Sequence, residues 1–485
     1  MSEQPLPRPG EQSLTRDDEQ SLPGPGSVCW RLLGQRRMLL VTGRALVLEA
    51  ALPAGGAALA RHSTYRTRPL RRLEITLESL QRLTYGDPET RAREFARIRR
   101  VHRHINGTDE KGRPYDGLDD ASRTWITLTL FDAMVAMERL GGRPLSRADE
   151  AQLYAEWRPI VLSFGIDASA VPQDLTACHT YFASMVGETL EDNPEVRHLL
   201  GAVYASVPAP PWLGWCPAPV WKAVRAVAAT VMSSVLRADL PDAYRRRIGL
   251  PLRRRDRVLS WLVHRTARWG LAAQPVRRRF LPLATAALEG RPVESRPVRR
   301  RGPVARQRPA GRTEEVGRFF DDVLDQTGDG FITREDLQAM VRSVCWPLDL
   351  SDRAEQRVYD AFDLWWPGLS TLDTDGDGRV SRSEFVVGTL TAPDETAQSV
   401  QPGLLKAMEA VFDAADSDHD GYVDRAEYCR IFGPKLHPAD ARRGFDELDS
   451  DSDGRITKAE FLDALVQFFA VRGDTEAAVR LFGRD

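Results

Sequence analysis

The sequence predicts an all-α protein of two helical units joined by a basic linker, on three observations. Through residues 28–289 apolar positions recur three or four apart, punctuated by Pro and Gly. Through residues 313–485 a twelve-residue acidic segment recurs four times, each copy with Asp at its first place and Gly at its sixth. The charge divides at the same point. Residues 1–312 hold 49 Lys+Arg and 32 Asp+Glu, whereas residues 313–485 hold 18 and 37. A net charge of -2 over 485 residues therefore sums two opposed halves.

Residues 1–27 are polar and rich in Pro, Gly, Glu and Gln, and read as a disordered lead. They lack the basic start and apolar run of a secretory signal. The five cysteines are odd in number and show no metal spacing, so they read as reduced thiols of a cytoplasmic protein. The most apolar stretch, Leu199–Leu236, carries only Lys222 and Arg225. Its five prolines break any single spanning helix, so it reads as a buried pocket wall in preference to a membrane-dipping segment. Only five lysines accompany 62 arginines, a coding bias and not selection for phosphate contacts.

Residues 28–289 form the first unit. Thr124–Leu140 is largely apolar and stops at Gly141-Gly142, and Ser146 then caps a helix with Asp149 and Glu150 in its first turn. No phosphate loop, dinucleotide turn, nucleophile elbow or zinc helix is present. Residues 290–312 are Arg/Pro-rich and read as an extended linker. Residues 241–312 hold 20 Lys+Arg against four Asp+Glu. Three readings of that hinge compete: closing helices with a solvated basic face, docking on the acidic unit, or peripheral contact with anionic lipid. Nucleic acid is not expected, since no binding fold accompanies the charge.

Residues 313–485 form the second unit, and its repeats carry chemistry. They are Asp325–Asp336 (DQTGDGFITRED), Asp373–Glu384 (DTDGDGRVSRSE), Asp416–Glu427 (DSDHDGYVDRAE) and Asp449–Glu460 (DSDSDGRITKAE). A hard Ca²⁺ ion takes six to eight oxygens at about 2.3–2.6 Å, which a tight loop of carboxylates supplies. The expected side-chain ligands are Asp325, Thr327, Asp329 and Asp336; Asp373, Asp375, Asp377 and Glu384; Asp416, Asp418, Asp420 and Glu427; and Asp449, Asp451, Asp453 and Glu460. Phe331, Arg379, Tyr422 and Arg455 would each add a backbone carbonyl. Gly330, Gly378, Gly421 and Gly454 meet the left-handed turn at position 6. Ile332, Val380, Val423 and Ile456 at position 8 are expected to join paired loops in short ladders. The register is that of the EF-hand family. Thr327 and the shorter Asp336 set the first loop apart, with weaker Ca²⁺ binding or Mg²⁺ binding expected there. Pro367-Gly368 should break the helix entering the second loop. Four hands, uneven spacing and Asp at position 12 resemble the sarcoplasmic and calerythrin-like calcium-binding proteins, which implies a buffer or modest sensor.

The first unit also carries a resemblance. RALVLEAALPAGGAALARHSTYRTRP (Arg44–Pro69), RIRRVHRHINGTDEKGRPYDGLDD (Arg97–Asp120) and the stretch Thr124–Ile160 follow one family order. Arg37–Glu289 thus resembles the MpaB-type oxygenases, relatives of the latex clearing proteins. The resemblance implies an all-helical domain around haem b and dioxygen-dependent cleavage of an olefinic lipid-like or isoprenoid substrate. On it, His102 matches the histidine of the RxxHxxxxG pattern, Tyr115 the tyrosine that follows, and His62 the histidine of an upstream His-Ser pair. The family's Trp-Val-His reads Trp125-Ile126-Thr127 here, and a threonine hydroxyl is a poor axial ligand. Either His102 or His104 binds iron, or the domain has lost haem and is a degenerate partner of a calcium buffer. The stretch Val207–Trp221 would line a lipid pocket or pack as ordinary core.

Overall fold

In a computed structural model, the described residues are 22–67, 69–205, 218–291, 293, 312–348, 350–391, 393–431, 444–446 and 448–463. They divide into two compact units. The first holds residues 22–60, 69–205 and 218–293, and the second holds residues 61–67 together with 312–463. The lead before residue 22, most of the linker, and residues 206–217 of the expected pocket stretch lie outside the described residues.

The first unit begins earlier than the composition implied. Leu22 is buried, Trp30 Nε1 donates to the Pro23 carbonyl at 2.9 Å, and Ser27 caps helix α1 (Val28–Leu33). Leu22 and Pro23 are therefore packed, and the Trp30 indole fixes the chain at Pro23. Helices α2 (Met38–Ala51), α3 (Pro53–His62), α4 (Pro69–Tyr85) and α5 (Pro88–Arg103) follow. A short antiparallel hairpin, β1 (Asn106–Thr108) with β2 (Pro114–Asp116), precedes α6 (Asp120–Leu140) and α7 (Arg147–Ser163). Asp87, Asp119 and Ser146 cap α5, α6 and α7 through side-chain oxygens, each satisfying a free helix N–H. The expected stop at Gly141 and start at Ser146 are where the sequence put them.

The centre of this unit is the pairing of α2 with α6. Trp125 is fully buried and donates from Nε1 to the Leu48 carbonyl at 2.9 Å, and Trp157 on α7 donates to the Thr127 carbonyl at 3.0 Å. Arg44 grips Asp132 with two bonds of 2.7 and 3.0 Å. A planar guanidinium suits such bidentate pairing, so the partly buried ion pair also sets helix register. Helices α8 (Leu175–Ser184), α9 (Pro194–Leu199), α10 (Ala218–Asp239), α11 (Asp242–Arg247), α12 (Arg254–Ala272), α13 (Val276–Arg279) and α14 (Pro282–Leu288) complete the unit. The hinge from residue 241 to residue 288 is thus built into the first unit as closing helices.

The Leu199–Leu236 stretch differs from its expectation. Val220, Val224 and Val227 on α10 are 50%, 49% and 66% exposed, so this part is not a buried wall. No single described helix is long and apolar enough to cross a membrane, although α2 and α3 together pass that test around a 105° bend.

The second unit packs one apolar core from Val316, Phe320, Leu337, Val358, Phe362, Trp365, Leu369, Phe385, Phe412, Tyr428 and Phe445, among others. Its helices are α15 (Arg312–Phe319), α16 (Arg334–Cys345), α17 (Asp352–Asp363), α18 (Trp366–Leu369), α19 (Arg382–Thr391), α20 (Pro393–Ala415) and α21 (Arg425–Ile431). The entering helix breaks at Leu364-Trp365, just ahead of Pro367-Gly368, and restarts with Pro367 in the first turn of α18, where proline fits better than in a helix interior. Four short strands, β3 (Phe331–Ile332), β4 (Val380–Ser381), β5 (Tyr422–Asp424) and β6 (Arg455–Thr457), pair in two ladders.

Candidate metal centre

Position 8 places the loops. Ile332 pairs with Val380 and Val423 pairs with Ile456, and all four side chains are buried. This fixes the loops as two back-to-back couples. Gly330, Gly378, Gly421 and Gly454 hold φ between +82° and +90°, where a Cβ would be strained. The turn is then held by the first Asp of each loop. Asp373 Oδ2 accepts Gly378 N–H at 2.8 Å, Asp416 Oδ2 accepts Gly421 N–H at 3.0 Å, and Asp449 Oδ2 accepts Gly454 N–H at 2.9 Å.

In three loops the carboxylates converge. Ligand oxygens of Asp373, Asp375 and Glu384 lie within 4.8 Å of one another, as do those of Asp416, Asp418 and Glu427, and of Asp449, Asp451 and Glu460. Each closing Glu is pre-aimed by its own loop. Glu384 accepts from Thr374 and Ser381, Glu427 from Ser417 and Asp424, and Glu460 from Ser450 and Thr457. Bonds from Ser381 and Thr374 pull the Glu384 carboxyl down to about 2. For Glu460 burial pushes upward, but the bonds from Ser450 and Thr457 win and bring it to about 2. These are gathered carboxylate oxygens, the donor set a hard divalent cation requires.

The first loop differs. Thr327 is 2% exposed, and its hydroxyl is buried without a hydrogen-bond partner. Asp336 is fully buried, and burial lifts its carboxyl to about 7 despite bonds from Thr333 and Thr327. Asp325 is also pushed upward by burial. The unused threonine oxygen fits a ligand role at position 3, but the loop offers a cation less ready charge than its neighbours. A further segment meets this loop. Residues 61–67 belong to this unit, and Thr67 Oγ1 donates to the Gln326 carbonyl, inside the loop, at 2.8 Å. Arg342 on α16 donates to the His62 carbonyl at 2.7 Å. A Cβ on Gly328 would come within 2.7 Å of Thr67 Cγ2.

This placement separates the three residues singled out by the oxygenase resemblance. His62 groups with the second unit, whereas His102 and Tyr115 belong to the first. His102 stands on the last turn of α5, half-buried, and its carbonyl accepts Ile105 N–H at 3.0 Å. Tyr115 is buried on β2 opposite Gly107, where a Cβ would meet its hydroxyl at 2.7 Å. The glycine of the RxxHxxxxG pattern is thus required by the tyrosine that follows it. Thr127 is buried, with its hydroxyl 2.9 Å from both the Arg123 and Thr124 carbonyls of its own helix. Its proton is committed to that helix, and a threonine hydroxyl is a poor axial ligand beside imidazole; the matched motif itself carries His102 and His104.

Sequence reasoning missed Glu49, the lone charge in the run Ala45–Ala60. It lies half-buried on α2 and accepts the Thr129 hydroxyl at 3.0 Å. Burial raises its carboxyl to about 7, against that bond and the charge of Arg72. A carboxyl poised near neutrality can give or take a proton.

Comparisons with known proteins match the two parts of the chain separately. Residues 30–269 match the family described as ER-bound oxygenase mpaB/B'/Rubber oxygenase, catalytic domain. Residues 322–341 and 369–387 match EF hands, and residues 405–470 match an EF-hand domain pair. No curated protein matches the chain. Among solved structures, a calcium-binding protein of Streptomyces coelicolor is 29% identical over 33% of this chain and 99% of its own, with a TM-score of 0.29. The calcium-loaded apo form of coelenterazine-binding protein from Renilla muelleri is 26% identical over 35% and 94%, at 0.28. An amphioxus sarcoplasmic calcium-binding protein is 19% identical over 36% and 96%, at 0.30.

Proposed function

We propose that this chain, whose residues 30–269 are a catalytic domain of the mpaB and rubber oxygenase family and whose second half is a set of calcium-binding EF hands, is a calcium-tuned oxidoreductase. One observation carries the tuning: residues 61–67, which link α3 to α4, pack within the calcium unit against its first loop. An ion that draws Thr327 and Asp336 inward acts on that segment directly. His62 and Ser63 lie in it, so occupancy of the first hand alters how the oxygenase-family sequence is held.

Haem b, when bound, would supply dioxygen activation. His102 would hold it, Tyr115 would fix the hairpin beside His102, and Glu49 would hold or release a proton near neutral pH. A lipid-like or isoprenoid chain is the substrate class that the family suggests. The free thiols of Cys29, Cys178, Cys345 and Cys429 support a reducing, cytoplasmic setting. A second reading is favoured by Thr127: the domain holds no haem, and the chain is a calcium sensor or buffer. Protein purified from haem-supplied cells decides between them. A Soret band that His102→Ala abolishes supports the oxidoreductase; no band and no iron in the wild-type chain supports the sensor.

A further inference from the structure

Helix α12 is turned inside out. Its buried stripe is polar: Asp256, Ser260 and His264, spaced four apart, are each less than 5% exposed. Ser260 Oγ donates to Asp239 Oδ1 at 2.6 Å, and His264 Nε2 lies 2.8 Å from Asp239 Oδ2. Its outer stripe is apolar: Val258, Trp261, Leu262 and Trp269 are 46–64% exposed. Helix α10 packs beside it and adds the exposed Val220, Val224 and Val227. Ordinary surface helices have the opposite polarity, so this face is built to meet something apolar.

The charges say what. The two helices carry two acidic residues, Asp239 and Asp256, and both are buried. Lys222, Arg254, Arg255 and Arg257 are exposed, and the Arg265 guanidinium lies 5.8 Å from the Trp261 ring centre. We infer that the α10–α12 face seats the protein on an anionic lipid bilayer. Tryptophan and valine enter the headgroup boundary, and the arginines meet lipid phosphates. A second copy fits poorly, because a two-fold contact would set one cationic face on another. Valines and a leucine have nothing to do against a nucleic-acid backbone.

The test uses the full-length chain in a calcium chelator, which excludes calcium bridging. Phosphatidylcholine vesicles with about one-quarter phosphatidylglycerol are compared with pure phosphatidylcholine. The expected result is co-sedimentation and a blue-shifted tryptophan emission with the anionic vesicles, weaker by about tenfold or more with neutral vesicles or high salt. The pairs Val224→Asp with Val227→Asp, and Trp261→Ala with Trp269→Ala, should each weaken partitioning by a similar factor. Far-ultraviolet circular dichroism and a first-unit thermal transition like that of the wild-type chain show that the variants are folded. Absence of binding, equal binding to neutral vesicles, or full binding by both folded variants would overturn the inference. So would a dimer that both variants abolish, which would assign the face to a second copy.

Discussion

Thr67 and Gln326, 259 positions apart in the chain, are joined by a 2.8 Å hydrogen bond from the Thr67 hydroxyl to the Gln326 carbonyl. Gln326 is the second residue of the first calcium loop. Thr67→Val keeps the shape and removes the donor, at a cost of about 1 kcal/mol. The affinity of one calcium site should fall about fivefold while the other three hold. Calorimetric titration of wild type and variant measures both.

Two glycines allow packing to be separated from backbone strain. Gly328 and Gly376 occupy equivalent places in the first two loops, and both have φ of +74°. A Cβ on Gly328 meets Thr67, whereas one on Gly376 meets nothing within 4 Å. Alanine at either position costs about 1 kcal/mol of left-handed strain. Gly328→Ala should lose clearly more calcium affinity and stability than Gly376→Ala. Parallel calcium titrations and thermal scans are the check.

Glu49 gives a pH signature. Its carboxyl is lifted from an ordinary 4.5 to about 7, so the folded state holds this proton more tightly than the unfolded state. Its stabilising contribution is complete below 4.5 and is lost as pH rises to about 7, a change of about 3 kcal/mol at most. Glu49→Gln should flatten this part of the profile and be the more stable protein at pH 8. Denaturant titrations across that window, followed by first-unit tryptophans, would show it.

Trp125 anchors α6 to α2 through its bond to Leu48 and its burial. Trp125→Ala should destabilise the first unit by about 3–5 kcal/mol. Calcium removal should act on the other half, because each of the three carboxylate clusters loses its own cation. Each site filled to about a hundredfold over its dissociation constant contributes about 2.7 kcal/mol. Scanning calorimetry should therefore show a lower, calcium-dependent transition that Trp125→Ala leaves in place.

The calcium loops were legible because their chemistry is local. Ligand spacing, the glycine turn and the position-8 residue all sit within twelve positions, and the ladders followed. Caps such as Ser146 and the break just ahead of Pro367 were legible for the same reason. The contact made by residues 61–67 was not, since Thr67 and Gln326 meet only through tertiary packing. Nor was the polarity of α12: its hydrophobic periodicity is real, but which stripe faces inward depends on Asp239, which belongs to another helix. Glu49 stood out in composition as one charge in an apolar run, yet its shift comes from burial that sequence does not report. Thr127 shows the converse. A missing histidine was visible in sequence, and the structure adds that the hydroxyl replacing it is already bonded.

Calcium bound in the second unit should act on residues 61–67. Hydrogen–deuterium exchange of the full chain, with calcium and with chelator, tests it at the segment itself. Calcium should slow exchange of peptides covering residues 61–67 together with those covering Asp325–Asp336. Protection of the loop with no change over residues 61–67 would contradict it.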